Sequence, residues 1–166
     1  MLKVKVIADN ILNLTDARYF AALGVNYLVF DLEKIHTTSI KEIKEWVEGV
    51  KILLDTKGEL TPGFVEQLLD IEPDGIISLD KNFLISIKEQ FPEIESFLRD
   101  DDGKLSQIKN ETTSKPFVKI DGNEISVESI IESKDISGII VEGKPEEKIG
   151  FKNFDELDEI FDLLSD

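Results

Sequence analysis

The sequence predicts an α/β protein built on a parallel sheet. Short runs rich in Val, Ile and Leu, mostly continuous, read as strands buried on both faces. Between them lie segments of helical periodicity with their own start signals. No linker or low-complexity stretch divides the chain, so residues 1–166 form a single domain with enough length for a real core.

The elements follow in order. "KVKVIAD" (3–9) is the first strand, and a helix begins near Asn13, turns at Gly24 and leads into the strand "YLVFD" (27–31). Ser39 with Glu42 reads as a capping box ahead of Ile40, Ile43 and Val47. The strand "VKILLD" (50–55) follows, then Thr61-Pro62, a cap and first-turn proline before Phe64, Val65, Leu68 and Leu69. "DGIISLD" (74–80) is the next strand. Segment 94–115 reads as one strand (94–99), an exposed turn at Asp100-Asp101-Asp102-Gly103 and a helix at about 104–111. A βα unit needs about 20–25 residues, so this segment adds at most one strand and the sheet has about six or seven. "PFVKID" (116–121) and "SGIIVE" (137–142) are the last strands. Asn153 with Glu156 caps a closing helix whose Phe154, Leu157, Ile160, Phe161 and Leu164 share a face.

Strand and helix in alternation mean βαβ units, which fit either a (β/α) barrel or an open doubly wound sheet. A full eight-fold barrel usually takes about 250 residues, with about 200 a lower bound. This chain is shorter.

Composition excludes several function classes. With 35 acidic against 19 basic residues the formal charge is −16, a field that repels nucleic-acid backbones and anionic membranes. There is no cysteine, hence no disulfide, thiolate metal site or cysteine nucleophile. No apolar run approaches the roughly 20 residues of a membrane span, and "MLKVKVIADN" does not read as a signal peptide, so a cytoplasmic location is expected. The Asn-x-Thr triplets at Asn13 and Asn110 are then chance matches to a glycosylation signal. Gly-x-Gly-x-x-Gly, Walker and Gly-x-Ser-x-Gly motifs are absent. With one histidine, a metal site would consist mostly of carboxylates, suited to Mg²⁺ or Ca²⁺. No cofactor and no bound metal are expected.

One pattern stands out. Nearly every strand ends in a carboxylate: Asp9, Asp31, Asp55, Asp80, Asp121 and Glu142. Such residues are good helix caps and turn formers. In a barrel they also gather on the C-terminal face, where active sites are built, and could form a site for a cation, an amine or a basic partner.

"NLTDARYFAALGVNYLVF" (13–30) resembles the opening of phosphoribosylanthranilate isomerase, and "KPFVKIDGNEISVESIIESKDISGIIVEGKPEEKIGFKNFDELDEIF" (115–161) resembles its last two units and closing helix. "GFKN" at Gly150–Asn153 stands where the family has Gly-x-Lys-Asp, and the likeness covers roughly 13–80 and 115–164. The middle is shorter by about one βα unit. The resemblance implies a shortened (β/α) barrel and so favours that architecture, with the open doubly wound sheet as the alternative.

It also implies a degenerate active site. Ile7 or Ala8 takes the place of the family's general base, a cysteine ending strand 1, and neither can move a proton. The family's general acid, an aspartate ending strand 6, falls in the shortened unit; Asp121 is the nearest candidate but matches strand 7. The phosphate-binding turns correspond to "IDGN", with Gly122, and "VEGKPEE", with Gly143, each keeping one glycine beside new acids. His36, the only histidine, falls at the family's arginine after strand 2. A ring of acids opposes a phosphorylated substrate.

The expected function is therefore a divergent isomerase-like protein that has lost catalysis and serves a binding or regulatory role, with no catalytic residues. An enzyme of altered chemistry using the carboxylate cluster, with or without a divalent metal, is the alternative, and retained isomerase activity ranks last. Candidate ligand-binding residues are Asp9, His36, Asp55, Asp80, Asp121, Gly122, Glu142 and Gly143. The expected partner is a small molecule or a protein, and the sheet edges left by a shortened barrel make self-association an expectation as well.

Overall fold

The computed structural model describes residues 2–56, 58, 60–109, 112–120, 124–143 and 154–165. The first half alternates strictly: β1 (Lys5–Asp9), α1 (Leu14–Ala22), β2 (Tyr27–Asp31), α2 (Thr37–Trp46), β3 (Lys51–Asp55), α3 (Pro62–Ile71), β4 (Gly75–Ser78) and α4 (Lys81–Gln90). Three strands then follow without helices: β5 (Glu95–Arg99), β6 (Leu105–Lys109) and the short β7 (Thr112–Thr113). The chain closes with β8 (Phe117–Lys119), α5 (Glu124–Glu132), β9 (Gly138–Glu142) and α6 (Asp155–Leu164).

The strand order β5-β4-β3-β2-β1-β9-β8-β6, joined at its ends by pairing of β5 with β6, makes a closed barrel of eight strands, with β7 an extra short pairing beside β6. All ring pairings are parallel except those of β6. The fold is thus a mostly parallel (β/α) barrel, and closure removes the open doubly wound alternative and takes up the edges a gap would leave.

The strand count exceeds the expected six or seven, and 105–109 is a strand where a helix was expected. The reason is geometric. A parallel neighbour needs a crossover of about a dozen residues or more, while an antiparallel one needs only a hairpin. Residues 100–104 are all that separates β5 from β6, so β6 must reverse. Two helices are saved and the ring still closes. Leu105 and Ile108 suggest a helix because residues three apart share a helical face. In the strand they face opposite ways: Leu105 joins the barrel interior and Ile108 the layer under the helices.

The interior is filled by Ile7, Tyr27, Val29, Leu53, Ile77, Phe97, Leu105, Phe117 and Ile140. Tyr27, Phe97 and Phe117 meet edge-on, with ring centres 5.3 to 6.5 Å apart. Glycine makes room for them: a Cβ at Gly138 would lie 2.3 Å from the Lys5 carbonyl oxygen and 2.7 Å from the Phe117 ring. At the N-terminal end of the barrel, Glu95 accepts from the Tyr27 hydroxyl (3.2 Å) and Gln107 Nε2 (3.1 Å) and pairs with Lys51 (3.1 Å). Burial, reinforced by Glu95, holds the Tyr27 phenol well above its ordinary pKa.

Helix starts match the sequence unevenly. Thr61 Oγ1 accepts from Phe64 N (3.1 Å), as its cap signal implies. The Ser39–Glu42 box does not form: α2 already begins after His36, which places Ser39 inside the first turn. Asn153 lies outside the described residues, and α6 follows Phe154.

Gly138→Ala should lower stability by about 1–3 kcal/mol, because backbone and a packed ring occupy the new methyl's place. Thermal unfolding should show this as a drop of roughly 2–4 °C per kcal/mol for a chain of this size.

Candidate functional site

The C-terminal ends of the parallel strands open on one mouth. Asp9 ends β1, Asp31 ends β2 and Asp55 ends β3, on three neighbouring strands. Strand alternation decides which side chains point in. Ile7 lies in the barrel interior and Ala8 in the outer layer, so the inward position that ends β1 is Asp9. The expectation that Ile7 or Ala8 holds this place is corrected accordingly: the position carries a carboxylate.

Arg99, the last residue of β5, reaches across the mouth to these acids. Its Nη1 donates to Asp9 Oδ2 (3.1 Å) and its Nη2 to Asp55 Oδ2 (2.9 Å), with a longer contact from Nη2 to Asp9 Oδ1 (3.4 Å). All three side chains are largely withdrawn from water, at 17, 10 and 25% exposure for Arg99, Asp9 and Asp55. Burial opposes the Arg99 charge, but Asp9 and Asp55 outweigh it and hold the guanidinium pKa above its ordinary value. The Asp55 carboxyl is also pushed up: burial, Asp9 and Asp31 prevail over the attraction of Arg99.

The other candidates engage different partners, although Asp31 and Glu142 end strands beside Asp55 and Asp9. Asp80 caps α4, its Oδ1 accepting from Asn82 N (2.9 Å) and Phe83 N (3.3 Å). Asp31 Oδ1 accepts from Glu33 N (2.9 Å) in the turn after β2. Glu142 pairs with Lys119 at 2.7 Å, both half-exposed. His36 is exposed at the start of α2 and its side chain makes no cap. Gly143 is buried; its N–H donates to the Asp9 carbonyl (3.0 Å), and a Cβ there would lie 2.7 Å from Asp16 Oδ2. That glycine permits close packing against an acid. Asp121 and Gly122 lie outside the described residues, as do Gly150–Asn153. Beside the mouth, Leu32, Asp55, Thr56, Thr61 and Phe64 help line a cavity of about 340 Å³. Among the described residues no group of three or more His, Cys, Asp or Glu could hold a metal ion.

Arg99 is the residue that sequence reasoning missed. The signal was present: "ESFLR" (95–99) is the one strand of the first five to end in a cation, and inward Phe97 sets the parity that turns Arg99 into the mouth.

No protein-family model matches this sequence, and no curated protein matches it. The match is to solved structures. A phosphoribosylanthranilate isomerase from Thermus thermophilus superposes with a TM-score of 0.69, at 12% identity over 97% of this chain and 98% of that one. The isomerase from Pyrococcus furiosus gives 0.68 at 12% identity, also over 97% and 98%. That from Thermotoga maritima gives 0.64 at 14% identity, over 95% and 96%. The fold is a phosphoribosylanthranilate isomerase-like barrel. A truncated 3-deoxy-D-arabino-heptulosonate 7-phosphate synthase from Thermotoga maritima shares the barrel more loosely, with a TM-score of 0.52 at 13% identity over 96% of this chain and 84% of that one. The likeness is one of fold, and in this chain β6 is antiparallel and six helices lie among the described residues. None of those helices is long and apolar enough to cross a membrane.

Replacing Arg99 by Met should cost about 3–5 kcal/mol at pH 7.5, since Asp9 and Asp55 would be left buried without their cation. A carboxyl whose folded-state pKa is raised binds its proton more readily folded than unfolded. Stability therefore grows as pH falls through that raised value towards the ordinary ~3.9. Without Arg99 the two acids repel more strongly, so the variant should recover part of its loss by pH 5. Asp55→Asn should unfold no lower than the wild type at pH 7.5, with a flatter dependence down to pH 5. Thermal midpoints across that range check both.

Proposed function

We propose that this protein is a binding or regulatory protein on an isomerase-like barrel, without isomerase activity. What carries the reading is Arg99, which engages two of the strand-end carboxylates in the mouth, Asp9 and Asp55. A general acid or base must be free to meet its substrate and exchange a proton. Asp9, at the inward end of β1, is instead held in a two-pronged ion pair and further bonded by Asn10 N (2.9 Å). The acids remaining around Arg99, and Asp16 against Gly143, disfavour a phosphorylated substrate. The alternative, a carboxylate-based enzyme with a divalent metal, draws no support from the described residues, whose acids do not form a ligand set.

Purified protein given phosphoribosylanthranilate should show no turnover above the uncatalysed rate in a fluorescence assay of substrate loss. Turnover at an ordinary enzymatic rate, roughly 1–10³ s⁻¹, would overturn the reading.

A further inference from the structure

Two of the large apolar side chains that stand exposed, Leu12 at 40% and Trp46 at 66%, border the same groove. The groove runs between the start of α1 and the length of α2, has a volume of about 370 Å³, and is floored by Leu14 and Ile43. Glu42 and Glu45 form its rim. The cations of α2 make their close contacts on the opposite side, although the Glu45 charge still acts on Lys41. Lys41 pairs with Asp70 on α3 at 2.7 Å, and Lys44 Nζ donates to the carbonyls of Ile71 (2.9 Å) and Glu72 (2.7 Å). Neither Glu42 nor Glu45 makes an ion pair among the described residues, and Arg18 on α1 reaches neither.

We infer that this groove docks a protein segment that presents an apolar side chain flanked by lysine or arginine. The apolar floor and the open Trp46 ring provide the anchor, the kind of contact that dominates interfaces when covered. The acidic rim selects the flanking charge. A second copy of this chain fits poorly, because each copy carries a formal charge of −16. The inference deepens the binding reading above at a surface apart from the mouth. Isomerase turnover would overturn that reading and leave the groove untouched.

Trp46 is the only tryptophan, so intrinsic emission reports on the groove directly. The whole chain is titrated with a synthetic amphipathic peptide of leucine and lysine that lacks aromatic residues. The expected result is a saturable blue shift at one peptide per protein. Glu42→Lys with Glu45→Lys should weaken binding about tenfold, while Glu89→Lys with Glu93→Lys, an equal charge change on and beyond α4, should leave it unchanged. Leu12→Ser, which keeps both the rim and the reporter, should weaken it independently and serves if the rim variant does not fold. The inference is overturned by an unshifted emission, by equal weakening in both charge-reversed pairs, by undiminished binding in Leu12→Ser, or by a shift that grows with protein concentration alone, which would make a second copy the occupant.

Discussion

Three strand-end carboxylates stand side by side on β1, β2 and β3, and one guanidinium from the far side of the barrel holds two of them. Asp9 and Asp55 are both withdrawn from water, and burying two like charges without a partner would cost several kcal/mol. Arg99 offsets part of that cost, Asp55 staying raised all the same, and ties β5 to β1 and β3 across the mouth. The barrel's closure and its chemical character meet at this residue. Arg99 is the last residue before the turn at which the chain reverses into β6.

The same reversal explains how a chain of this length closes a ring. Replacing crossover helices by hairpins trades a helix layer for short turns, and parallel pairing for antiparallel pairing. The seam between β6 and β8 is correspondingly slight, one residue pair, Leu105 with Phe117, and the two side chains pack in the interior beside Phe97. The strands before the reversal pair in regular parallel register. Their C-terminal ends converge on one mouth, and the Arg99 ion pairs fill part of it.

Much of this was legible in the residues. Runs such as "YLVFD" and "VKILLD" mark strands to within a residue, because buried parallel strands are continuously apolar and bounded by turn formers. Segment 105–109 was not legible by periodicity, since Leu105 and Ile108 satisfy a helical spacing as well as opposite faces of a strand. Counting the residues available for a crossover would have resolved it. The acids at strand ends were visible, but their roles were not: Asp80 caps a helix, Glu142 pairs with Lys119, and among the described residues Asp9 and Asp55 are the two that Arg99 engages. Which acids converge depends on strand parity and on a cation 44 and 90 residues away in sequence, information that no local pattern holds.

The central claim is that Arg99 and Asp9 act as one unit across the mouth. A double-mutant cycle measures this directly, using Arg99→Met, Asp9→Asn and the pair together, with stability taken from denaturant unfolding at pH 7.5. The account predicts strong coupling, about 1–3 kcal/mol, with the double variant more stable than the sum of the single losses implies. Losses that simply add, within about 0.5 kcal/mol, would contradict it.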